Sequence, residues 1–323
     1  MKGDTFPRLL GDIGGTNARF AWQAEAGAEV GDAVTYPCAD YPALEDAMRR
    51  YLREHQGEAP RQAAIGIANP ITGDHVQMTN HHWSFSIAGL RDALGLDRLL
   101  VINDFTALAL SLPALKPDEL VQVGGGTAVP DAPVALLGPG TGLGVSGLLP
   151  MGRGRGEVPL NGEGGHVTLS AADDREAAVI ELLRRRFGHA SAERALSGPG
   201  LVNLYEALCA HQGVAAQPLS AADISARALD GSDATCRATI DLFFSLLGTV
   251  AGNLALTLGA RGGVYIGGGI VPRLSALVEG SQLRSRFEQK GRFADYLRPI
   301  PLYVVNARQS PALLGAARAL EML

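Results

Sequence analysis

The chain has 323 residues, 46% of them hydrophobic and 19% charged, with a formal net charge of −5. This is too long for one simple core and points to a two-domain globular protein. The acidic balance excludes a basic footprint for nucleic acid. The three cysteines, Cys38, Cys209 and Cys236, are too scattered for a disulfide framework or a cysteine-rich zinc site, and they fit a reducing compartment. No apolar run reaches the roughly 18 residues of a membrane span. Residues 1–7 lack the apolar segment of a secretory signal, so the expected location is the cytoplasm, with no membrane partner. No GxxxxGK[ST] occurs, so the chain is not a P-loop enzyme.

The first element expected is a hairpin over Leu9–Trp22. An apolar strand reaches Gly11-Asp12-Ile13, turns through Gly14-Gly15-Thr16-Asn17, and an alternating strand follows. Gly14 and Gly15 can take positive φ without steric cost. Lacking side chains, they also leave backbone N–H groups open to an anion such as phosphate. Asp12 ends the strand, where a hard cation can be held. Taken alone, the stretch reads equally well as a plain glycine-rich hairpin. A strand is expected around residues 33–36 and a helix over 42–51, with Leu44, Ala47, Met48 and Tyr51 on one face.

Ala63–Ala68 is wholly apolar, as in a strand buried on both faces, and Asn69-Pro70 is a turn signal. A strand over 76–80 leads to His81-His82. Neighbours on a strand point to opposite faces, so these histidines make poor joint metal ligands. A helix over 87–94 precedes a buried strand, Leu99–Ile102, which runs into Asn103-Asp104. A polar pair at the carboxyl end of a buried parallel strand is where ligands sit in open α/β sheets, although Asp104 reads equally as an N-cap of the helix over 107–112.

Residues 113–133 are rich in Pro and Gly and form a boundary. The strand Val134–Leu137 then enters a second glycine turn, with Gly140 and Thr141, and another strand. Its GxGxxG match at 142–147 is discounted, because no helix follows. In Asn161–Leu169, Glu163 and His166 lie among three glycines, suited to hydrogen-bonding a polar substrate, or else to a solvated loop. Helices are expected over 173–187, after Ser197, over 221–229 and over 234–258. Arg184–Arg186 at the end of the first suit the helix dipole and read as a solvated face. A third glycine turn, Gly267-Gly268-Gly269, follows another buried strand. A final strand over 300–305 and a helix over 312–322 close the chain, the helix packing back on the first domain.

Three strand–glycine-turn units with an Asp at a strand end need a common explanation. The stretches GDIGGTNAR (11–19), PITGD (70–74), INDFTA (102–107), GTGLG (140–144), GEGGH (162–166), SGPGLVN (197–203) and GGG (267–269) resemble the bacterial glucokinase family of hexokinase-like, actin-fold enzymes. The resemblance runs from Leu9 to the final helix. It implies an α/β, two-domain actin-like/ribonuclease H-like ATPase fold with a central cleft. The expected division is a smaller domain over 1–112 plus 303–323 and a larger one over 113–302. The cysteine-rich zinc motif of the related repressor/kinase sugar family is missing after His166, and no helix-turn-helix precedes Leu9, so the zinc-free branch is favoured and no DNA binding is expected.

The resemblance implies ATP-dependent phosphorylation of glucose at its 6-hydroxyl, with Mg²⁺, by a homodimer. Asp104 is then the general base. Asn103, Glu163, His166 and Glu193 read the sugar hydroxyls with Asp104. Gly11, Gly14, Gly15, Thr16 and Asn17, with Gly140 and Thr141, cradle the phosphates. Asp12 orients the metal, and Gly267 and Gly268 face the adenine and ribose. The alternatives are an actin-like or chaperone-like ATPase, which has no need of the Glu163–His166 cluster, and a sugar-sensing regulator, against which Asp104 argues.

Overall fold

The computed structural model describes residues 5–55, 59–152, 156–307 and 309–322. The chain divides into two compact units, Met1–Lys116 with Ala307–Leu323, and Pro117–Asn306.

The first unit opens with an antiparallel meander of β1 (Arg8–Ile13), β2 (Asn17–Gln23) and β3 (Gly31–Pro37). Then come α1 (Leu44–Glu54), β4 (Gln62–Ile67), a small hairpin of β5 (His75–Gln77) and β6 (Ser84–Ser86), α2 (Ile87–Ala93), β7 (Arg98–Asn103) and α3 (Asp104–Ser111). The sheet order is β3-β2-β1-β4-β7, with β1, β4 and β7 parallel. These strands are apolar without alternation because both faces are covered. Leu9, Ile13, Ala63, Ile65 and Ile67 meet Leu44, Ala47, Met48 and Tyr51 of α1 on one face, while Leu10, Ala21 and Ala64 point to the other.

The second unit contains β8 (Leu120–Gln122), β9 (Val134–Pro139), β10 (Leu143–Pro150), β11 (Glu157–Pro159), α4 (Asp174–Phe187), α5 (Gly198–Gln212), α6 (Ala221–Asp230) and α7 (Ala234–Leu258). After β12 (Val264–Ile266) come four short helices, α8 (Ile270–Arg273), α9 (Ser275–Val278), α10 (Leu283–Glu288) and α11 (Ala294–Leu297), and then β13 (Leu302–Val305). The order β11-β10-β9-β12-β13-β8 repeats the plan of the first sheet: a three-strand meander continued by two parallel strands, with β8 added antiparallel at the edge. Helix α7 has the length and mean hydropathy of a membrane span, but 72% of its most apolar stretch is buried. Its Phe243, Phe244, Leu246 and Leu247 fill the core of this unit.

The chain then returns to the first unit as α12 (Pro311–Met322). Leu313, Ala316, Ala317 and Leu320 cover the Leu10, Ala21 and Ala64 face, as the apolar side of this helix requires.

One local reading changes. Strand β5 ends at Gln77, so His81 and His82 lie in the loop joining it to β6 rather than on a strand. Their rings pack 4.2 Å apart. His81 meets the Trp83 ring at 4.7 Å, and His82 Nε2 donates to the Pro42 carbonyl at 3.1 Å. Strand alternation therefore does not set where these two rings point.

Candidate active site

In the first unit, Asp12 and Asp104 sit at the carboxyl ends of β1 and β7, with β4 between them. Asp12 pairs with Gly66, and Gly66 with Ile102, in one row across the sheet. Two strand spacings separate β1 from β7, about 10 Å. Alternation puts Asp12 on the same face as Leu10, the face covered by α12. There its Oδ2 accepts from Ser310 Oγ at 2.6 Å and from Arg19 Nη1, its cross-strand partner, at 3.1 Å.

The turn after Asp12 departs from expectation. Neither Gly14 nor Gly15 has positive φ. The Gly14 N–H is not open either, since it donates to Asn17 O at 2.9 Å and closes the hairpin. Gly15 is required by crowding instead: a Cβ there would lie 2.9 Å from Asn80 Cβ and 3.0 Å from Asn80 O. Thr16 is exposed at the tip. Behind the turn, Cys38 N donates to Thr16 O at 2.8 Å and its Sγ to Gly14 O at 3.4 Å. Burial pushes the Cys38 thiol up, which keeps the proton on the donor.

Asp104 is not the N-cap of α3. Asn103 is, with Oδ1 accepting from Phe105 N at 2.9 Å and Thr106 N at 3.2 Å. Asp104 is the first helical residue, where the positive end of the helix meets its carboxylate, and its Oδ1 accepts from Phe105 N at 2.9 Å. The Asn103 amide Nδ2 reaches Asn69 O at 3.4 Å.

In the second unit, the other candidates converge on the start of β10. Gly140 N bonds Gly142 O, and Gly198 N at the head of α5 bonds Gly140 O, both at 2.8 Å. Thr141 is exposed at this turn. Glu193 Oε2 accepts the Leu143 N–H at 2.9 Å. The Glu163–His166 segment lies directly on the same strand, since a Cβ on Gly165 would overlap Leu143 O and one on Gly164 would come within 2.7 Å of Val145 Cγ1. Ala192 N donates to Val167 O at 2.9 Å, joining this segment to the Glu193 turn. Glu163 and His166 are exposed. Gly267 N donates to Leu137 O at 2.8 Å, and Gly268, at φ +77°, crosses the end of β9 where a side chain would overlap Pro139 O.

Sequence reasoning missed Ser310, Arg19, Cys38 and Asn69. Ser310 before Pro311 carried a readable helix-start signal, but its bond to Asp12 spans 298 residues. Among the described residues there is no group of three or more His, Cys, Asp or Glu that could hold a metal by itself.

The glucokinase family model matches residues 9–323. The chain belongs to the glucokinase family. The glucokinase of Aromatoleum aromaticum is 57% identical over 319 residues, 98% of this chain and 96% of that one. That of Chromobacterium violaceum is 55% identical over 314 residues, covering 97% and 89%. A crystal structure of glucokinase from an Antarctic psychrotroph matches with a TM-score of 0.88 at 38% identity, over 98% of each chain. The two-sheet α/β fold is thus the actin-like architecture of glucokinases.

Proposed function

We propose that this glucokinase-family chain transfers the γ-phosphoryl group of ATP to the 6-hydroxyl of glucose, giving glucose 6-phosphate and ADP. The observation that carries the reading is family membership over residues 9–323. In the reaction, the sugar O6 attacks the γ-phosphorus, the bond to the bridging oxygen of ADP breaks, and the O6 proton passes to the Asp104 carboxylate. Asn103, Glu163, His166 and Glu193 read the sugar hydroxyls, because a site built to pair each hydroxyl rejects analogues that lack one. Asn103 would do so with its amide Nδ2, since its Oδ1 caps α3. Gly15, Thr16 and Asn17, with Gly140 and Thr141, cradle the phosphates, Gly14 serving to close the turn; Gly11, expected in the cradle, is instead buried within β1, where a Cβ would overlap Ile65 Cγ2. Gly267 and Gly268 face the adenine and ribose.

Mg²⁺ is commonly bound through one or two carboxylates plus substrate phosphates, and a single carboxylate, Asp12, fits that donor set because, among the described residues, Ser310 and Arg19 engage its Oδ2 and not its Oδ1. Bound there with ATP, Mg²⁺ would neutralise charge on the phosphates. The family resemblance supports a cytoplasmic homodimer that engages neither membrane nor nucleic acid.

A coupled assay for ADP release across a panel of hexoses tests the reading. Turnover that depends on glucose is expected. ADP release at the same rate with and without sugar would overturn it in favour of a plain ATPase.

A further inference from the structure

We propose that Asn69 is a positioning residue for phosphoryl transfer, holding the 78–83 loop against the Gly14–Asn17 turn while its backbone fixes Asn103. The inference rests on the assignment of that turn to phosphate and of Asp104 to the proton.

Asn69 follows β4 and is only 8% exposed. Both ends of its amide are used. Oδ1 accepts the Thr79 N–H at 3.0 Å and Nδ2 donates to Pro70 O at 3.1 Å. An Asn before a proline ordinarily bonds its own turn, whereas this one captures a backbone group ten residues on. Its carbonyl accepts from Asn103 Nδ2 at 3.4 Å. The preceding residue, Ala68, donates to Ile13 O at 2.9 Å, which stitches the strand end to β1 just before the turn.

The two arms lead to the two reacting partners. From Thr79 the chain passes to Asn80, whose backbone and Cβ press on Gly15. From Asn103 it passes to the cap of α3 and so to Asp104. The path Gly15–Asn80–Thr79–Asn69–Asn103–Asp104 joins the phosphate turn to the base within one unit. Transfer requires these groups to be held closely, because a displacement of about 1 Å can cost about 10²-fold in rate.

The arms differ chemically. The arm to Thr79 is made by the side chain and the arm to Asn103 by the backbone. Truncating the side chain therefore loosens the nucleotide side and spares the sugar side.

The experiment is steady-state kinetics of the full chain with ATP and glucose varied independently. Asn69→Ala is expected to lower kcat/KM for ATP about tenfold or more, with KM for glucose within about twofold. Asn69→Asp keeps an acceptor for Thr79 N–H but loses the Nδ2 donor to Pro70 O, and is expected to recover part of that loss. A KM for glucose raised about tenfold, no loss toward ATP, or no recovery in Asn69→Asp would overturn the proposal. If Asn69→Ala does not fold, Asn69→Ser, whose hydroxyl is too short to reach Thr79, must show the same ATP-side loss. A wild-type chain without glucose-dependent ADP release would sink the functional reading. An active wild type with unchanged ATP kinetics in the variants would sink this inference alone.

Discussion

Two glycine turns occupy matching places in the two sheets, yet they are built differently. Gly14–Asn17 closes β1 on β2, and Gly140–Gly142 closes β9 on β10. Two residues before Gly14 stands Asp12, whereas two residues before Gly140 stands Gly138. The first turn has a carboxylate on its own strand and is packed by Cys38 behind and Asn80 in front. The second has none and receives one from Glu193, 50 residues away from the Leu143 N–H it accepts. A Cβ on Gly142 would lie 2.5 Å from that carboxylate, while Gly164 and Gly165 against β10 and Gly268 at the end of β9 let further segments lie directly on the strands. Glycine density therefore reports how many segments a turn must accommodate, more than how sharply it bends.

The comparison can be broken at several points. The largest effect is expected from Asp104→Asn, which neutralises the proposed base at the head of α3 and leaves the second unit untouched. Its kcat should fall about 10²–10⁴-fold, with glucose affinity by calorimetry within about threefold; a near-normal rate would move the base elsewhere. Next, Gly165→Ala should be far worse than Gly14→Ala. The first drives a methyl into Leu143 O, while the second meets only Asn17 O, 3.5 Å away. Thermal melting should show a loss of about 1–3 kcal/mol for Gly165→Ala and little for Gly14→Ala. Equal losses would mean that the second turn is no more tightly ringed than the first.

Smaller still, Ser310→Ala removes one of the two donors on Asp12 Oδ2. We expect KM for ATP to rise about fivefold, the equivalent of about 1 kcal/mol, when measured at several Mg²⁺ concentrations. The smallest effect concerns the outer wall of the first turn. Burial, and then the neighbouring His82, hold the His81 imidazole below its usual 6.5. The folded state therefore prefers neutral His81. Its contribution to stability is complete above about pH 6.5 and is lost as pH falls through the lowered folded value. Melting temperatures from pH 7.5 to 5 should decline less steeply in His81→Gln than in the wild type.

Much of this was legible because the signals are local. Apolar runs ending in glycine marked β1, β9 and β12, one ending in Asn69-Pro70 marked β4, and the apolar face Leu44, Ala47, Met48, Tyr51 marked α1. What stayed hidden depends on distant partners. Asn and Asp are nearly equal as caps, so Asn103-Asp104 could not be resolved until the Phe105 and Thr106 N–H groups showed which side chain they meet. Gly15 looks like a residue chosen for its backbone angles, and only the approach of Asn80 gives the actual reason. Asn69 reads as an ordinary turn residue and Ser310 gives no functional signal, since their partners lie 10 and 298 residues away.

The return of α12 also sets a timetable for synthesis. The second unit is one continuous stretch, Pro117–Asn306, interrupting a first unit made from both flanks. On the ribosome, the inserted segment emerges entire and can fold by itself, while the Leu10–Ala21–Ala64 face stays uncovered until residues 311–322 follow. Asp12 gains its Ser310 hydrogen bond only then. A nascent chain halted before residue 307 would thus expose an apolar sheet face and leave the Asp12 carboxylate without its Ser310 partner.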